Sequence, residues 1–236
     1  MSEINLSLRD RQDEWMDEPD LDPRLHHGAL RGLSRVNRMS GVAGSLWKQM
    51  RPFIEHCSAE KVQILDVASG GGDVAIALKK RAQKAGAEVS ITGCDISPVA
   101  TQFASENAAR QNVDVEFQCR DVLADALPGS FDIVYTSLFL HHLEEPSLLQ
   151  ILDSMKRVAK HRMILSDLIR SRFGYLLAAV GIRILTRNPV CHFDGPLSVR
   201  AALTIEEISE YCERVGLRIL HRQKVWPERF LIVCEP

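Results

Sequence analysis

The sequence predicts an α/β fold built on a mostly parallel sheet, and three observations lead to this prediction. Apolar runs typical of strands alternate with helical patterns between residues 62 and 167. A glycine-rich turn at residues 70–72 joins the first strand directly to a helix. Ser97 and Pro98 form the pair that favours a helix start. Strands that alternate with helices in this way pair in parallel, with helices on both faces of the sheet.

The first two thirds of the chain are divided as follows. Residues 1–22 are polar and acidic, so we expect a flexible or loosely attached segment. A helical pattern over 23–56 is broken into two helices at Ser40-Gly41. Five strands are predicted at 62–68, 89–95, 113–118, 131–137 and 162–167, with helices at 73–84, 98–111 and 147–159 between them.

The pattern changes after residue 167. A helix is predicted over 171–186, and a loop is expected through 188–196. Thr204 and Glu207 are spaced as a capping box at the start of a helix. The chain ends in two β-rich runs, 218–226 and 229–234, which predict an antiparallel hairpin.

Composition excludes several functional classes. The 236 residues fit one domain with additional elements at its edge. The chain has 29 Lys+Arg against 31 Asp+Glu, which leaves no overall basic excess for nucleic-acid binding. The polar start does not predict a signal peptide. Six scattered cysteines without a CxxC pair predict buried free thiols in a reducing cytoplasm and no zinc site.

The apolar run at 173–182 is too short to span a bilayer, so no stable membrane insertion is expected. Contact with a membrane and packing over a pocket both remain possible uses of this run, and we favour packing, with its apolar face lining the pocket.

Acidic residues follow successive predicted strands, and they indicate a ligand site. Asp66 ends the first strand, Asp95 ends the second, and Asp121 follows the third. The carboxyl ends of parallel strands form the crevice where such sheets bind ligands. Asp95 lies where a ribose would accept its hydrogen bonds, and Asp121 could accept one from an adenine amino group. The site therefore predicts a ligand that contains adenosine.

Two classes of ligand remain open at this point. Gly70, Gly72 and Ala75 match the dinucleotide fingerprint GxGxx(G/A), so a nicotinamide-dependent oxidoreductase is one alternative. Asp66 argues against it, because a carboxylate directly before the loop would repel a pyrophosphate and favour an ammonium. No tyrosine is followed by lysine four residues later, so the acid–base pair of short-chain dehydrogenases is absent from the sequence.

The motifs resemble those of the class I S-adenosylmethionine-dependent methyltransferases. ILDVASGGG at 64–72 resembles their motif I, GCDIS at 93–97 their acidic second-strand motif, and RDV at 120–122 the motif after strand three. FDIVYTS at 131–137 with LHHL at 140–143 resembles their strand-four motif. The resemblance covers about 61–167 and is to the ubiquinone/menaquinone-type small-molecule branch. Ala68 departs from it, since the family usually has glycine there.

This resemblance implies a Rossmann-like class I methyltransferase fold with a mostly parallel seven-stranded sheet, a C-terminal antiparallel hairpin and an N-terminal helical lid. It implies S-adenosyl-L-methionine as the cofactor. The implied domains are a flexible segment 1–22, a helical lid 23–58 and a methyltransferase domain 59–236 with an acceptor-side lid insertion at 171–203. The implied cofactor-binding residues are Asp66, Ala68, Ser69, Gly70, Gly72, Asp95, Ile96, Asp121, Val122, Ser137 and Leu138.

The acceptor chemistry is a hypothesis with several candidates. His141, His142 and His192 are candidate bases, each weighed against a structural role. Arg200 is a candidate for binding an acidic group of the acceptor. Residues 24–41 and 192–200 resemble methyltransferases encoded beside type III polyketide synthases, which implies a phenolic, quinol or polyketide acceptor and oxygen methylation. No metal is implied, and a non-catalytic S-adenosylmethionine-binding protein is the other alternative.

Overall fold

A seven-stranded mixed sheet forms the centre of the computed structural model, which describes residues 5–18, 20–57 and 61–236. The strands are β1 (Val62–Val67), β2 (Val89–Asp95), β3 (Glu116–Cys119), β4 (Phe131–Ser137), β5 (Ala159–Leu168), β6 (Arg218–Val225) and β7 (Arg229–Glu235). Their order across the sheet is β3-β2-β1-β4-β5-β7-β6. The first five strands are parallel, and β7 pairs antiparallel with both β5 and β6. The predicted sheet and its terminal hairpin are thus confirmed.

Helices cover both faces of this sheet. They are α1 (Pro23–Ser40), α2 (Val42–His56), α3 (Asp73–Lys84), α4 (Pro98–Arg110), α5 (Glu145–Val158), α6 (Arg172–Leu176), α7 (Ile182–Leu185), α8 (Pro189–Ala201) and α9 (Ile205–Arg214). A π-helical turn, Leu177–Gly181, joins α6 to α7 without a break. One buried apolar cluster lies under α5 and α9, and a second lies under α2 and α3. Burial of the two sheet faces in these clusters fixes the register of the strands.

The local sequence signals that begin and end helices act as predicted. Gly41 adopts a left-handed conformation, φ 67°, and separates α1 from α2. The side chains of Thr204 and Glu207 complete the capping box of α9. Ser97 caps α4 through a hydrogen bond from the Ala100 backbone N–H. These signals depend on neighbours in sequence, so they can be recognised without tertiary information.

Three predicted boundaries are wrong. The third strand begins at Glu116 and not at 113, and β5 begins at Ala159 where the end of a helix was expected. The predicted loop at 188–196 is the first part of α8. Asn188 caps this helix and Pro189 occupies its first turn, so the start signal was present. Asp194-Gly195-Pro196 is typical of a turn, but burial of this face of α8 outweighs that local preference.

The described part of the N-terminal segment, residues 5–18 and 20–22, is packed against the domain, whereas a flexible or loosely attached segment was predicted for 1–22. Residues 1–4 and 19 lie outside the described residues. Arg9 donates hydrogen bonds to the carbonyl oxygens of Ala201, His141 and Leu143 at 2.6, 2.9 and 2.7 Å. The backbone N–H groups of Trp15 and Met16 donate to the Asp194 carboxylate. An acidic segment without apolar periodicity can therefore still be held through its polar groups. None of the described helices is long and apolar enough to cross a membrane.

Candidate cofactor and acceptor site

A cavity of about 870 Å³ lies at the carboxyl ends of the parallel strands. Its floor comes from the loops after β1, β2 and β4, and its sides come from the N-terminal segment, α1 and the stretch 174–185. The volume is typical of a small-molecule or cofactor site. We name two sides of it: the glycine-loop wall (residues 66–71, 95–98 and 121–122) and the histidine wall (Glu14, Asp17, His141 and His142).

The glycine-loop wall is held by Asp95. The Gly70 N–H donates to Oδ2 of this carboxylate at 2.7 Å, and the Ser97 N–H donates to Oδ1 at 2.9 Å. Burial raises the pKa of Asp95, and these two hydrogen bonds counter part of that rise. The carboxylate oxygens each keep a free lone pair, so they can also accept hydrogen bonds from ligand hydroxyls.

The turn itself needs unusual backbone conformations. Ala68 and Gly70 have φ values of 58° and 51°, in the left-handed region. An added Cβ at Gly70 would meet no atom within 4 Å, so this glycine borders open space. Alanine in that region costs roughly 1–2 kcal/mol, and a non-glycine residue held there is typical of a functional turn.

Gly72 has a packing role, which corrects its assignment to the cofactor site. It does not line the cavity. A Cβ at this position would lie 2.4 Å from the Phe117 ring and 2.8 Å from the Ala104 side chain. Gly72 therefore allows the start of α3 to approach α4 and β3.

Asp66 is a buried carboxylate that faces the cavity with 2 % of its surface exposed. Burial raises its pKa well above the usual range, and nearby Asp73 and Asp95 add to that rise. Within the described residues no lysine, arginine or histidine forms an ion pair with Asp66. A cationic group bound in the cavity would supply the missing countercharge.

A second buried polar group lines the same cavity. Arg229 is 2 % exposed, and its Nη2 donates to Asn37 Oδ1 at 2.8 Å. Asn37 in turn donates to Asp73 at 3.2 Å. Burial lowers the pKa of Arg229 to about 10, while Asp167 and Asp73 act in the opposite direction. The positive charge is thus held between α1, the start of α3 and β7.

The remaining predicted residues of the glycine-loop side are brought to the same cavity. Asp121 accepts the backbone N–H groups of Leu123 and Ala124, so its loop is ordered by its own carboxylate. Leu138 has φ 58°, and this turn directs the chain across the carboxyl end of β4. The other predicted residues that line the cavity are Ala68, Ser69, Ile96, Val122 and Ser137.

His141 is the best-defined group of the histidine wall. It is 3 % exposed, and its Nδ1 lies 2.7 Å from Asp167 Oδ1. Asp167 Oδ2 accepts the His141 and Phe139 backbone N–H groups. Burial would raise the pKa of Asp167, but the His141 ring and the hydrogen bond from the Leu168 backbone N–H lower it, so the carboxylate stays ionised. Asp167 therefore orients His141 with its Nδ1 proton inward and its Nε2 toward Glu14, 3.8 Å away.

His142 is paired with the N-terminal segment. Its Nδ1 lies 2.9 Å from Asp17 Oδ2. Burial acts to lower the pKa of His142, but the hydrogen bond to Asp17 and the charge of Glu14 raise it to about 9. Among the described residues, Glu14, His141 and His142 have ligating atoms within 4.8 Å of one another, a spacing that could hold a metal ion. Protonation of His142 competes with metal binding there.

His192 and Arg200 lie outside the cavity lining, which corrects two predictions. His192 Nε2 is 2.7 Å from the Thr186 carbonyl oxygen, so this ring connects α8 to the end of α7. Arg200 forms an ion pair with Asp10 of the N-terminal segment. Both side chains therefore contact the cover of the cavity and not its interior.

Sequence reasoning missed Glu14, Asp17, Asn37 and Arg229. Glu14 and Asp17 lie more than 120 residues from their histidine partners, and no local pattern marks them. Asp167 offered a usable signal, because it follows a strand in the same way as Asp66 and Asp95. Arg229 directly precedes the apolar run 230–234 at the start of the last predicted strand, and a charged residue buried beside such a run needs a partner.

Comparison with known proteins agrees with this geometry. A family described as "Methyltransferase domain" matches residues 64–162. The chain is 33 % identical over 164 residues to a ubiquinone biosynthesis O-methyltransferase of Methylococcus capsulatus, an alignment that covers 68 % of this chain and 62 % of that protein. A protein of the same name from Azoarcus sp. is 29 % identical over 206 residues, covering 79 % and 83 %. The chain spans about 62 % of the length of the first of these relatives. Together these matches support a class I S-adenosylmethionine-dependent methyltransferase.

A solved methyltransferase structure shares the fold. The S-adenosylmethionine-dependent methyltransferase from Aquifex aeolicus superposes with a TM-score of 0.64 at 18 % identity, over 91 % of this chain and 98 % of that one. The comparisons decide between the two ligand classes left open by the fingerprint at 70–75. They favour S-adenosylmethionine over a nicotinamide dinucleotide.

The residues of this methyltransferase fit that cofactor. S-adenosylmethionine carries an ammonium and a sulfonium, and the cavity offers the buried carboxylate of Asp66, which forms no ion pair with a described residue. It carries a ribose, and Asp95 offers carboxylate lone pairs beside an open glycine turn. It carries an adenine, and Ile96 and Val122 provide apolar surface next to Asp121. The side chains of the cavity thus match each part of S-adenosylmethionine in charge and polarity.

Proposed function

We propose that this protein transfers a methyl group from S-adenosylmethionine to an oxygen of a small, mostly apolar acceptor with a phenolic, quinol or polyketide-type hydroxyl. The observation that supports the proposal is a buried His141–Asp167 pair on the wall opposite the glycine loop. The relatives from Methylococcus capsulatus and Azoarcus sp. are named as O-methyltransferases. Their names describe those proteins, and the acceptor of this chain is inferred from its own site.

The glycine-loop wall holds the cofactor in this proposal. Asp95 accepts hydrogen bonds from the ribose hydroxyls, Asp66 neutralises the ammonium end, and Asp121 accepts from the adenine amino group. The backbone at Ser137 and Leu138 closes the same side of the cavity. S-adenosylmethionine supplies an electrophilic methyl group when it is bound. The protein supplies position, because displacement needs the acceptor oxygen in line with and close to the reacting carbon.

The acceptor side combines apolar side chains with the polar groups of the histidine wall. Leu177, Ala178 and Ile182 line it from the stretch 172–185, and Leu30 and Leu33 line it from α1. These side chains exclude water from the acceptor, and they favour a ligand with little polar surface. This arrangement supports our proposal that residues 23–58 and 171–203 cover the acceptor. It also adds residues 5–18 to that cover.

His141 removes the acceptor proton in this mechanism. The Nδ1–H group of His141 donates a hydrogen bond to Asp167, so the lone pair of the ring lies on Nε2, on the side of Glu14. The imidazolium that forms is stabilised by the ionised Asp167. A phenol, with a pKa near ~10, needs less assistance than an alcohol. His142 is assigned a role in holding Asp17 and not in proton transfer, since its raised pKa keeps it protonated near neutral pH.

The six cysteines of the sequence all lie in described parts of the chain and are free thiols. We infer a reducing, cytoplasmic location from this cysteine usage.

The test is methyl transfer by the purified protein from labelled S-adenosylmethionine to a panel of phenols, quinols and aromatic polyketides. We expect product only from acceptors with a free hydroxyl, and the O-methyl ether is identified by mass spectrometry. Calorimetry with S-adenosylhomocysteine and NAD serves as the parallel measurement. Binding of NAD without binding of S-adenosylhomocysteine would contradict the proposal.

A further inference from the structure

The helical stretch 172–185, which we call the covering helix, is apolar on two opposite sides. Its inner side lines the cavity through Leu177, Ala178, Gly181, Ile182 and Leu185. Its outer side exposes Phe173, Leu176, Val180 and Ile184, with 50, 57, 53 and 80 % of each residue accessible to solvent. Apolar residues on the solvent side of a surface helix are unusual when they form a continuous row. The cavity explains the apolar residues of the inner side, but it does not explain those of the outer side.

The neighbouring hairpin turn adds an exposed aromatic side chain that also borders the cavity. Trp226 is 67 % exposed in the turn between β6 and β7. The turn is fixed to the start of the covering helix, because Ser171 Oγ donates to Glu228 Oε2 at 2.7 Å. Tryptophan, with an apolar body and one N–H, is typical of side chains that lie at the boundary between water and lipid.

The charges along the covering helix and its flanking residues have one sign. The sequence from 168 to 193 contains no aspartate or glutamate, although the chain as a whole has a formal net charge of −2. Arg172, Arg183 and Arg187 are exposed at the two ends of the covering helix. A row of apolar side chains flanked by arginines complements a surface that is apolar inside and negatively charged outside.

We propose that the outer side of the covering helix lies on the surface of a membrane that contains anionic phospholipids. Phe173, Leu176, Val180 and Ile184 insert at the level of the lipid headgroups, and the three arginines contact lipid phosphates. The inner side of the same helix lines the cavity, so an apolar acceptor dissolved in the lipid reaches the site beside this helix. Only the statement about the route of the acceptor rests on the proposed function.

Vesicle flotation tests the proposal with the full chain. We expect the protein to float with vesicles of phosphatidylcholine and phosphatidylglycerol at low salt, and to bind pure phosphatidylcholine vesicles at least about 5-fold more weakly. The double variant L176D/I184D should reduce binding about 10-fold or more. R183Q/R187Q should reduce binding to anionic vesicles only. The matched control is Leu220→Asp, since Leu220 is 40 % exposed on β6, away from the covering helix.

Each outcome has a defined meaning. Binding of L176D/I184D at the wild-type level, or no binding of the wild type to anionic vesicles, overturns the proposal. A dimer of the wild type in solution that is lost in L176D/I184D also overturns it, because the row would then contact a second copy of the chain. S-adenosylhomocysteine affinity, measured without vesicles, should be the same in all variants. If the wild type does not bind S-adenosylhomocysteine, that result counts against the proposed function and leaves the membrane result unaffected.

Discussion

The two walls of the cavity are built in different ways. On the glycine-loop wall, the Gly70 N–H donates to Asp95, 25 residues away on the adjacent strand. On the histidine wall, His142 pairs with Asp17 across 125 residues. The first wall follows directly from strand pairing, because the register of β1 against β2 brings the loop and the acid together. The second exists only after the N-terminal segment has docked.

This difference separates binding of the cofactor from binding of the acceptor. Changes on the glycine-loop wall should alter cofactor affinity, since the groups there fit the charges of that molecule. Changes on the histidine wall and in the N-terminal segment should alter turnover or acceptor binding and leave the cofactor bound. The following four predictions test that separation, from the largest expected effect to the smallest.

The largest effect is expected for His141→Ala. Loss of the general base should lower the rate of methyl transfer by about 10²- to 10⁴-fold, while affinity for S-adenosylhomocysteine changes little. The decrease should be greatest for acceptors of high pKa, because an ionised phenol needs no base. Steady-state rates across a series of phenols, with calorimetry for the cofactor product, provide the measurement.

His192→Ala is the matched control for this prediction. His192 touches the Thr186 carbonyl and not the cavity, so its removal should leave the rate within a few-fold of the wild type. Equal activity of the two alanine variants at every acceptor pKa would show that His141 does not act as the base. Catalysis would then depend on positioning alone.

The next effect is expected for Asp95→Ala, on the other wall. Loss of hydrogen bonds to a charged group costs roughly 1.5–3 kcal/mol, or about 10- to 100-fold in affinity. Affinity for S-adenosylhomocysteine should fall by this amount in calorimetry. Asp121→Ala, which removes an acid that holds its own loop, should weaken binding less. Unchanged affinity in Asp95→Ala would remove this residue from the site.

The same contrast explains how much could be predicted from sequence. Asp66, Asp95 and Asp121 were found because each follows an apolar strand, and strand ends converge in any parallel sheet. The role of Glu14 had no such signal, since it reaches His141 only through the docking of its segment against Ser198 and Asp194. Long-range polar pairing of this kind leaves no periodicity in the sequence.

The helix at 189–201 shows the same limit of sequence-based prediction, because here a local signal for a turn was misleading. Its cap and its first proline are local and could be recognised, but Asp194 and Gly195 favour a turn. The structure keeps the helix because Asp194 accepts two backbone N–H groups of the N-terminal segment. Local preference was thus overruled by contacts about 180 residues away in sequence.

Arg9→Ala tests whether the N-terminal segment belongs to the acceptor side. Arg9 connects this segment to the carbonyl oxygens of His141 and Leu143. Its loss should loosen the segment and raise the KM for the acceptor about 10-fold, with the Kd for S-adenosylhomocysteine unchanged. Arg31→Ala, an exposed change on α1, is the control. A loss of cofactor affinity in Arg9→Ala would contradict the separation of the two walls.

The smallest effect is expected for Asp17→Asn, and it depends on pH. The pKa of His142 is raised to about 9 in the folded protein and returns to its ordinary value on unfolding, so the folded state holds more protons between the two values. The stability that the pair contributes is therefore complete below the unfolded pKa of His142, near ~6.5, and is lost as pH rises through about 9. The pKa of Asp17 is lowered: burial acts to raise it, and the hydrogen bond from His142 outweighs that effect. The contribution of Asp17 is therefore lost as pH falls through its folded pKa.

The difference in free energy of unfolding between wild type and Asp17→Asn should therefore be largest between about pH 5 and 6.5 and vanish above the folded pKa of His142. Urea unfolding at three pH values measures it. Asp17 is half-exposed, so added salt should reduce the difference. Asp13→Asn, whose side chain is 92 % exposed, should show no such pH dependence. A difference independent of pH would mean that Asp17 holds the N-terminal segment by packing. The charge of His142 would then not stabilise the histidine wall.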